Sequence, residues 1–165
     1  MPGSTGSRPP DGPYASVRWA GATEPTGTAT AAAVPDIGRR ALLSAGGGSI
    51  INSGSAAGTE GLAGFAGCAA AKEAIRALTR VAAREWGPMG IRVNAICPFA
   101  NSEGMQGWSQ LDPEGYRGSI ERAPWQRVGD CEADTGRVVA FLASDNAAHL
   151  TAPTFMVDGG SGRFR

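Results

Sequence analysis

The sequence predicts an α/β fold built on a short parallel sheet, and three observations carry that prediction. Apolar runs of strand length recur at GSIINS (48–53), IRVNAI (91–96) and TFMVDGG (154–160). Helical stretches lie between the first and second runs and between the second and third. Strand, helix, strand in that order is a βαβ unit, for which the right-handed crossover is strongly favoured.

Residues 1–35 are rich in Gly, Pro, Ser, Thr and Ala and carry neither helical nor strand periodicity. They read as a flexible tail, with 36–165 as the α/β domain. The stretch GSTGSR in the tail is not a nucleotide-binding loop, because no strand precedes it and Pro9-Pro10 stand where a helix would start. IGRRALLSAGGGS opens the domain as a short helix closed by glycines. GSIINS follows as a buried strand with Ile50 and Ile51, then a turn-rich loop. Cys68, Ala71, Ile75, Leu78, Ala82 and Trp86 are three or four apart, which predicts one long helix over about 65–87. Gly87-Pro88 ends it. After IRVNAI comes a long loop to about residue 129. Asp130 caps a helix over roughly 131–144, and Glu132 and Asp134 suit its positive end. The run 154–160 is a third strand ending in a Gly turn.

The chain has 165 residues, enough for one domain with one core. Basic and acidic residues balance at 15 each, which argues against a nucleic-acid or anionic-membrane partner. No apolar run approaches the roughly 20 residues that span a bilayer. The N-terminal MPGSTGSRPPDGPYAS lacks the apolar core of a secretory signal, so the expected compartment is the cytoplasm. Cys68, Cys97 and Cys131 are odd in number and widely spaced, and His149 is the only histidine. Neither a disulfide framework nor a metal site is expected. His149 reads as an exposed loop residue and Asn94 as a structural residue at a strand–loop junction.

Lys72 is the only lysine in the chain, and it lies in the stretch CAAAK. Four blocks, GGGSIINSGSAAG, CAAAK, GIRVNAICPF and FLASDNAAHLTAPTFMVDGG, stand in an order and spacing that resembles the C-terminal half of the short-chain dehydrogenase/reductase family. The resemblance runs from about residue 40 to 160. It implies a partial doubly wound, Rossmann-like parallel sheet keeping about three C-terminal strands with flanking helices. It also implies NAD or NADP as cofactor and a small carbonyl or alcohol substrate. Ser55 matches the family serine, thirteen residues before the position of the family tyrosine, and Lys72 matches the lysine. Pro98-Phe99 match the proline-glycine motif that lies against the nicotinamide, and Ser102 the hydroxyl residue that faces its carboxamide.

The chemistry accounts for these types. A lysine at i+4 lies one turn along the same helix face and lowers the pKa of a neighbouring phenol, so that it passes a proton near neutral pH. The serine holds the substrate oxygen, and the cofactor carries the hydride. Cys68, however, occupies the tyrosine position. Its thiol either relays the proton, directly or through water, or packs as a small apolar residue on the helix face of Ile75. Lys72 also begins a row with Arg76, Arg80 and Arg84 that reads as a solvated face, with Glu73 available to pair with Arg76.

The Gly-rich pyrophosphate turn of the family is absent from the matched part, so the expectation is a weak or inactive oxidoreductase. The alternative is a non-catalytic scaffold, a partner subunit or a truncated remnant whose start lies in unrelated sequence. The strand at 48–53 would then be a sheet edge that another copy of the chain or another partner covers. The resemblance also implies homo-oligomers formed through the helices at about 36–45 and 65–87.

Overall fold

The computed structural model describes Arg39 and residues 42–162. The expected tail at 1–35 and most of the expected helix at 36–45 lie outside the described residues; Arg39 and Leu42–Ser44 are helical. β1 is Gly48–Ser53, and a single turn of helix, α1, Ala56–Glu60, follows it. The long helix α2 is Ala66–Trp86, and β2 is Ile91–Pro98. Then come α3, Glu103–Leu111, and α4, Pro113–Arg122. A π-helical turn at Cys131–Gly136 runs into α5, Arg137–Ala143, and β3 is Thr154–Val157.

The three strands form one parallel sheet in the order β1-β2-β3, with Gly48 opposite Ile91 and Ala95 opposite Thr154. Alternation along each strand sends successive side chains to opposite faces, and both faces are covered. On one, Ile91 and Val93 pack against Ala82 and Ala83 of α2, with Ile50 and Trp86 beside them. On the other, Ile96 packs against Leu142 of α5 and Ala147, with Ile51 and Phe155 beside them. Helices on both faces of a parallel sheet make the expected doubly wound layer structure. β2 is central and nearly all buried, whereas no residue of β1 is fully buried. β1 begins beside the turn after α2, where a Cβ on Gly47 would lie 2.7 Å from the carbonyl oxygen of Gly90. Only glycine lets the two segments come that close.

Polar residues fasten the helices to the sheet. On the α5 side, Ser49 Oγ donates to the carbonyl of Leu142 at 2.9 Å, and Arg92 donates to the carbonyls of Ser144 and Leu150 at 3.2 and 3.4 Å. Asn94 is fully buried and donates to the carbonyl of Leu150 at 2.9 Å; it lies within β2 and not at the strand–loop junction expected for it. On the α2 side, Asn52 Nδ2 donates to Thr79 Oγ1 at 2.9 Å, and that hydroxyl donates to the carbonyl of Ile75. His149 is exposed in a turn, as expected.

The expected loop from 97 to 129 is mostly helical. Ser102 caps α3 by accepting from Met105 N at 3.4 Å. Asp112 caps α4 by accepting from Gly115 N at 2.9 Å, with Pro113 in the first helical position. Both caps are helix-start signals in the sequence, but the two glycines of α3 and the polar face of α4 weaken their periodicity. Asp130 caps the next helix as expected, with Oδ1 accepting from Glu132 N at 2.8 Å and Ala133 N at 2.6 Å. Its first six residues are π-helical, with Thr135 N reaching back to the carbonyl of Asp130. β3 stops at Val157, because Asp158 turns the chain by accepting from Gly160 N and Gly162 N.

Candidate functional site at the carboxyl ends of the strands

Open α/β sheets bind ligands beyond the carboxyl ends of their strands. Ser55 stands two residues past the end of β1, held by Gly54 N donating to the carbonyl of Ile96 at 2.7 Å. Its backbone is extended, and its Oγ accepts from Ala57 N at 3.1 Å to cap α1. The hydroxyl proton is not used by that bond and remains able to donate.

Lys72 reaches the same end. Nζ donates to the carbonyl of Ser53, the last residue of β1, at 3.0 Å. This bond ties α2 to the end of β1 and leaves the ammonium two further protons. Cys68, one turn before Lys72, is exposed. The packing role expected for it beside Ile75 is therefore not seen. Buried residues of α2 begin only at Thr79, so its first turn overhangs the sheet and the thiol has no layer to pack on. Ser55 and Lys72 are thus brought together through Ser53–Gly54–Ser55, and Cys68 stands on the solvent side.

Pro98 closes β2, and Phe99 extends the sheet by donating its N–H to the carbonyl of Val157 at 3.0 Å and accepting from Gly129 N at 2.9 Å. Ser102 spends an oxygen lone pair on its cap. Phe65 stacks edge-on against Trp108 with ring centroids 6.0 Å apart, and Trp108 against Tyr116 at 5.7 Å. These rings tie the start of α2 to α3 and α4, which sequence periodicity did not reveal.

Arg76 departs from the expected solvated row. Its Nη1 holds Glu73 at 2.7 and 2.8 Å, the expected pairing, and its Nε donates to Thr154 Oγ1 of β3 at 3.3 Å. The guanidinium therefore lies across the sheet, whereas Arg80 and Arg84 are exposed. Cys97 on β2 is fully buried close by. Burial pushes its thiol up from the ordinary value, with the Arg76 charge and the Ser55 backbone N–H pulling the other way.

A shallow cleft of about 230 Å³ adjoins Phe99 and is lined also by Trp125, Arg127, Asp134, Met156 and Asp158. Ser55, Cys68 and Lys72 do not line it. Arg127 grips Asp134 through two bonds, at 2.6 and 2.9 Å, and stacks over the ring of Trp125. The Arg127 hydrogen bonds, then that of the Asp130 N–H, hold the Asp134 carboxyl well below the usual carboxylate range. A depressed folded value means that the pair stabilises the fold above the unfolded value of about 3.9 and that this is lost as pH falls below it. In a carboxyl ¹³C titration Asp134 should titrate below the ordinary carboxylate range, and Arg127→Gln should raise it towards that range, with the Asp130 N–H bond still holding it down in part.

Among the described residues no helix is long and apolar enough to cross a membrane. A family model described as enoyl-(acyl carrier protein) reductase matches residues 14–162, so the likeness begins well before residue 40, where the motif blocks start. A 12alpha-hydroxysteroid dehydrogenase from a Clostridium species is 41% identical over 116 residues, covering 70% of this chain and 45% of that protein. A 3-oxoacyl-[acyl-carrier-protein] reductase from Pseudomonas aeruginosa is 40% identical over 122 residues, covering 73% and 48%. The crystal structure of levodione reductase superposes with a TM-score of 0.67 at 35% identity, covering 73% of this chain and 49% of that one. A short-chain type dehydrogenase/reductase from Mycobacterium ulcerans gives a TM-score of 0.70 at 28% identity, covering 78% and 46%. The chain spans about half the length of these relatives.

Proposed function

The chain belongs to the short-chain dehydrogenase/reductase family, and from that premise we propose that it carries an alcohol–carbonyl oxidoreductase site whose own turnover is weak or nil. The observation that supports this reading is that Ser55 and Lys72 both stand at the end of β1, with the exposed Cys68 one helical turn before Lys72; we read Cys68 as standing at the family's tyrosine position. Ser55 donates its free proton to the substrate oxygen. Lys72, with two protons left beyond its bond to Ser53, holds a cofactor ribose and keeps positive charge beside position 68. Pro98 and Phe99 lie against a nicotinamide, and Ser102 faces its carboxamide. NAD or NADP supplies or accepts the hydride when bound.

Proton transfer is the weak step. A tyrosine hydroxyl reaches about 3–4 Å further from the backbone than a cysteine sulfur, and misplacement by about 1 Å already costs on the order of a hundredfold. Cys68 therefore passes a proton only through water. The substrate class is a small carbonyl or alcohol, in keeping with the relatives named as dehydrogenases and reductases.

The test is a titration with NADH and NADPH followed by nicotinamide fluorescence, together with carbonyl reduction by the same chain. Binding in the millimolar range with little or no turnover is the expected result. No binding there would remove the cofactor reading, and brisk turnover would remove the claim of a missing proton donor. We further propose that a second copy docks along α2, where Ala66, Ala70, Ala77 and Val81 are exposed. Sedimentation of a monomer at all concentrations would overturn that.

A further inference from the structure

Gly54 and Cys97 meet directly behind the serine of the site. Gly54 is buried, and a Cβ built on it would lie 2.8 Å from Cys97 Sγ, 3.3 Å from the carbonyl oxygen of Ile96 and 3.6 Å from Arg76 Cγ. No real Cβ tolerates the first of these separations, so contact, not backbone angle, requires glycine here. The wall is firm. Cys97 is fully buried on the central strand, and Arg76 beside it is held at one end by Glu73 and at the other by Thr154.

We propose that Gly54 and Cys97 are a positioning pair, the missing Cβ of one matched to the sulfur of the other, that sets where Ser55 presents its hydroxyl. The proposal rests on the reading of Ser55 as donor to the substrate oxygen. Ser53 is opposite Ile96 in the ladder, Gly54 N still bonds the carbonyl of Ile96, and the Ser55 N–H faces the Cys97 sulfur, so these are the last points at which the sheet holds the chain. A displacement there passes directly to Ser55, whose N–H faces the same sulfur and whose hydroxyl is restrained by its cap to Ala57 N. The raised pKa of Cys97 keeps the sulfur protonated and neutral, which suits a steric wall more than a reactive group. Neither residue touches the substrate in this scheme; both act through Ser55.

The experiment compares Gly54→Ala, Cys97→Ala and the double variant. The first readout is the ¹H–¹⁵N signal of the Ser55 amide, which does not depend on turnover. Gly54→Ala should move that signal and lower Tm. Cys97→Ala alone also moves the signal, because the Ser55 N–H loses the sulfur it faces; the double variant should match Cys97→Ala in the signal and recover most of the Tm. The second readout uses a Cys68→Tyr background, where Gly54→Ala should lower kcat by about a hundredfold, as a displacement near 1 Å does, with KM little changed. The double variant should again recover. If Gly54→Ala fails to fold, folding of the double variant supports the pair and its failure to fold overturns it. An unmoved Ser55 signal in Gly54→Ala, a double variant whose signal departs from that of Cys97→Ala, or a Tm that does not recover in the double variant also overturns it. Absence of turnover in every background would instead count against the oxidoreductase reading, leaving the amide signal to decide the pair.

Discussion

Cys68→Tyr is expected to raise carbonyl reduction by about 10²–10⁴-fold, the range that a positioned proton donor contributes. Three features make this the most informative change at the site. Position 68 is exposed, so a larger side chain costs little in packing. Lys72 stands one turn further along the same helix, with Nζ anchored on the Ser53 carbonyl and so fixed relative to Ser55. The substitution therefore adds a phenol beside a charge that favours its ionised form, without asking the backbone to move. The measurement is consumption of NADH or NADPH with a small ketone, in wild type and variant side by side. Adding Lys72→Met should abolish the gain, because the phenol then keeps its ordinary pKa. A folded, cofactor-binding variant with no gain would mean that position 68 does not face a competent site.

Leu142→Ala should cost about 2–5 kcal/mol of stability, the range for removing a leucine from a tight core. Leu142 is fully buried on α5 and contacts Ile96 and Ala147, the centre of the core on that face of the sheet. Its carbonyl also receives the hydroxyl of Ser49, so the helix is pinned to the edge strand at the same residue. That bond resists collapse of the helix into the space vacated, which puts the expected loss towards the upper part of the range. Urea unfolding read by far-UV circular dichroism measures it as a drop in midpoint at unchanged slope. A loss under about 1 kcal/mol would mean that this face is not packed as described.

The sequence announces some elements clearly and others hardly at all. The three strands are short apolar runs between turn residues, and α2 has sustained helical spacing, so both are legible from local pattern. The cap at Asp130 is legible for the same reason. α3 and α4 escape notice because EGMQGWSQL and PEGYRGSIER bury no residue fully and so need no apolar stripe. Their caps, Ser102 and Asp112, are the signals that would have found them. Ser102 reads as a cofactor contact from motif position alone; in the structure it caps α3.

The sequence by itself determined the order of the three strands and of the two helices, α2 and α5, that cover the sheet, and it set Ser55 and Lys72 near the end of β1. That placement follows from the short reach between the end of β1 and the first turns of α2, a nearly local constraint. Only the tertiary structure decided the surroundings. It placed Arg76 across the sheet with Glu73 and Thr154, left Cys68 facing solvent, and set the sulfur of Cys97 against Gly54. The physical reason is that where a helix lies on a sheet depends on contacts between residues far apart in the chain. Thr154 is 78 positions from Arg76, and no local periodicity encodes their meeting. The spacing within CAAAK is a property of one helix, whereas the exposure of its cysteine depends on where the sheet beneath that helix ends.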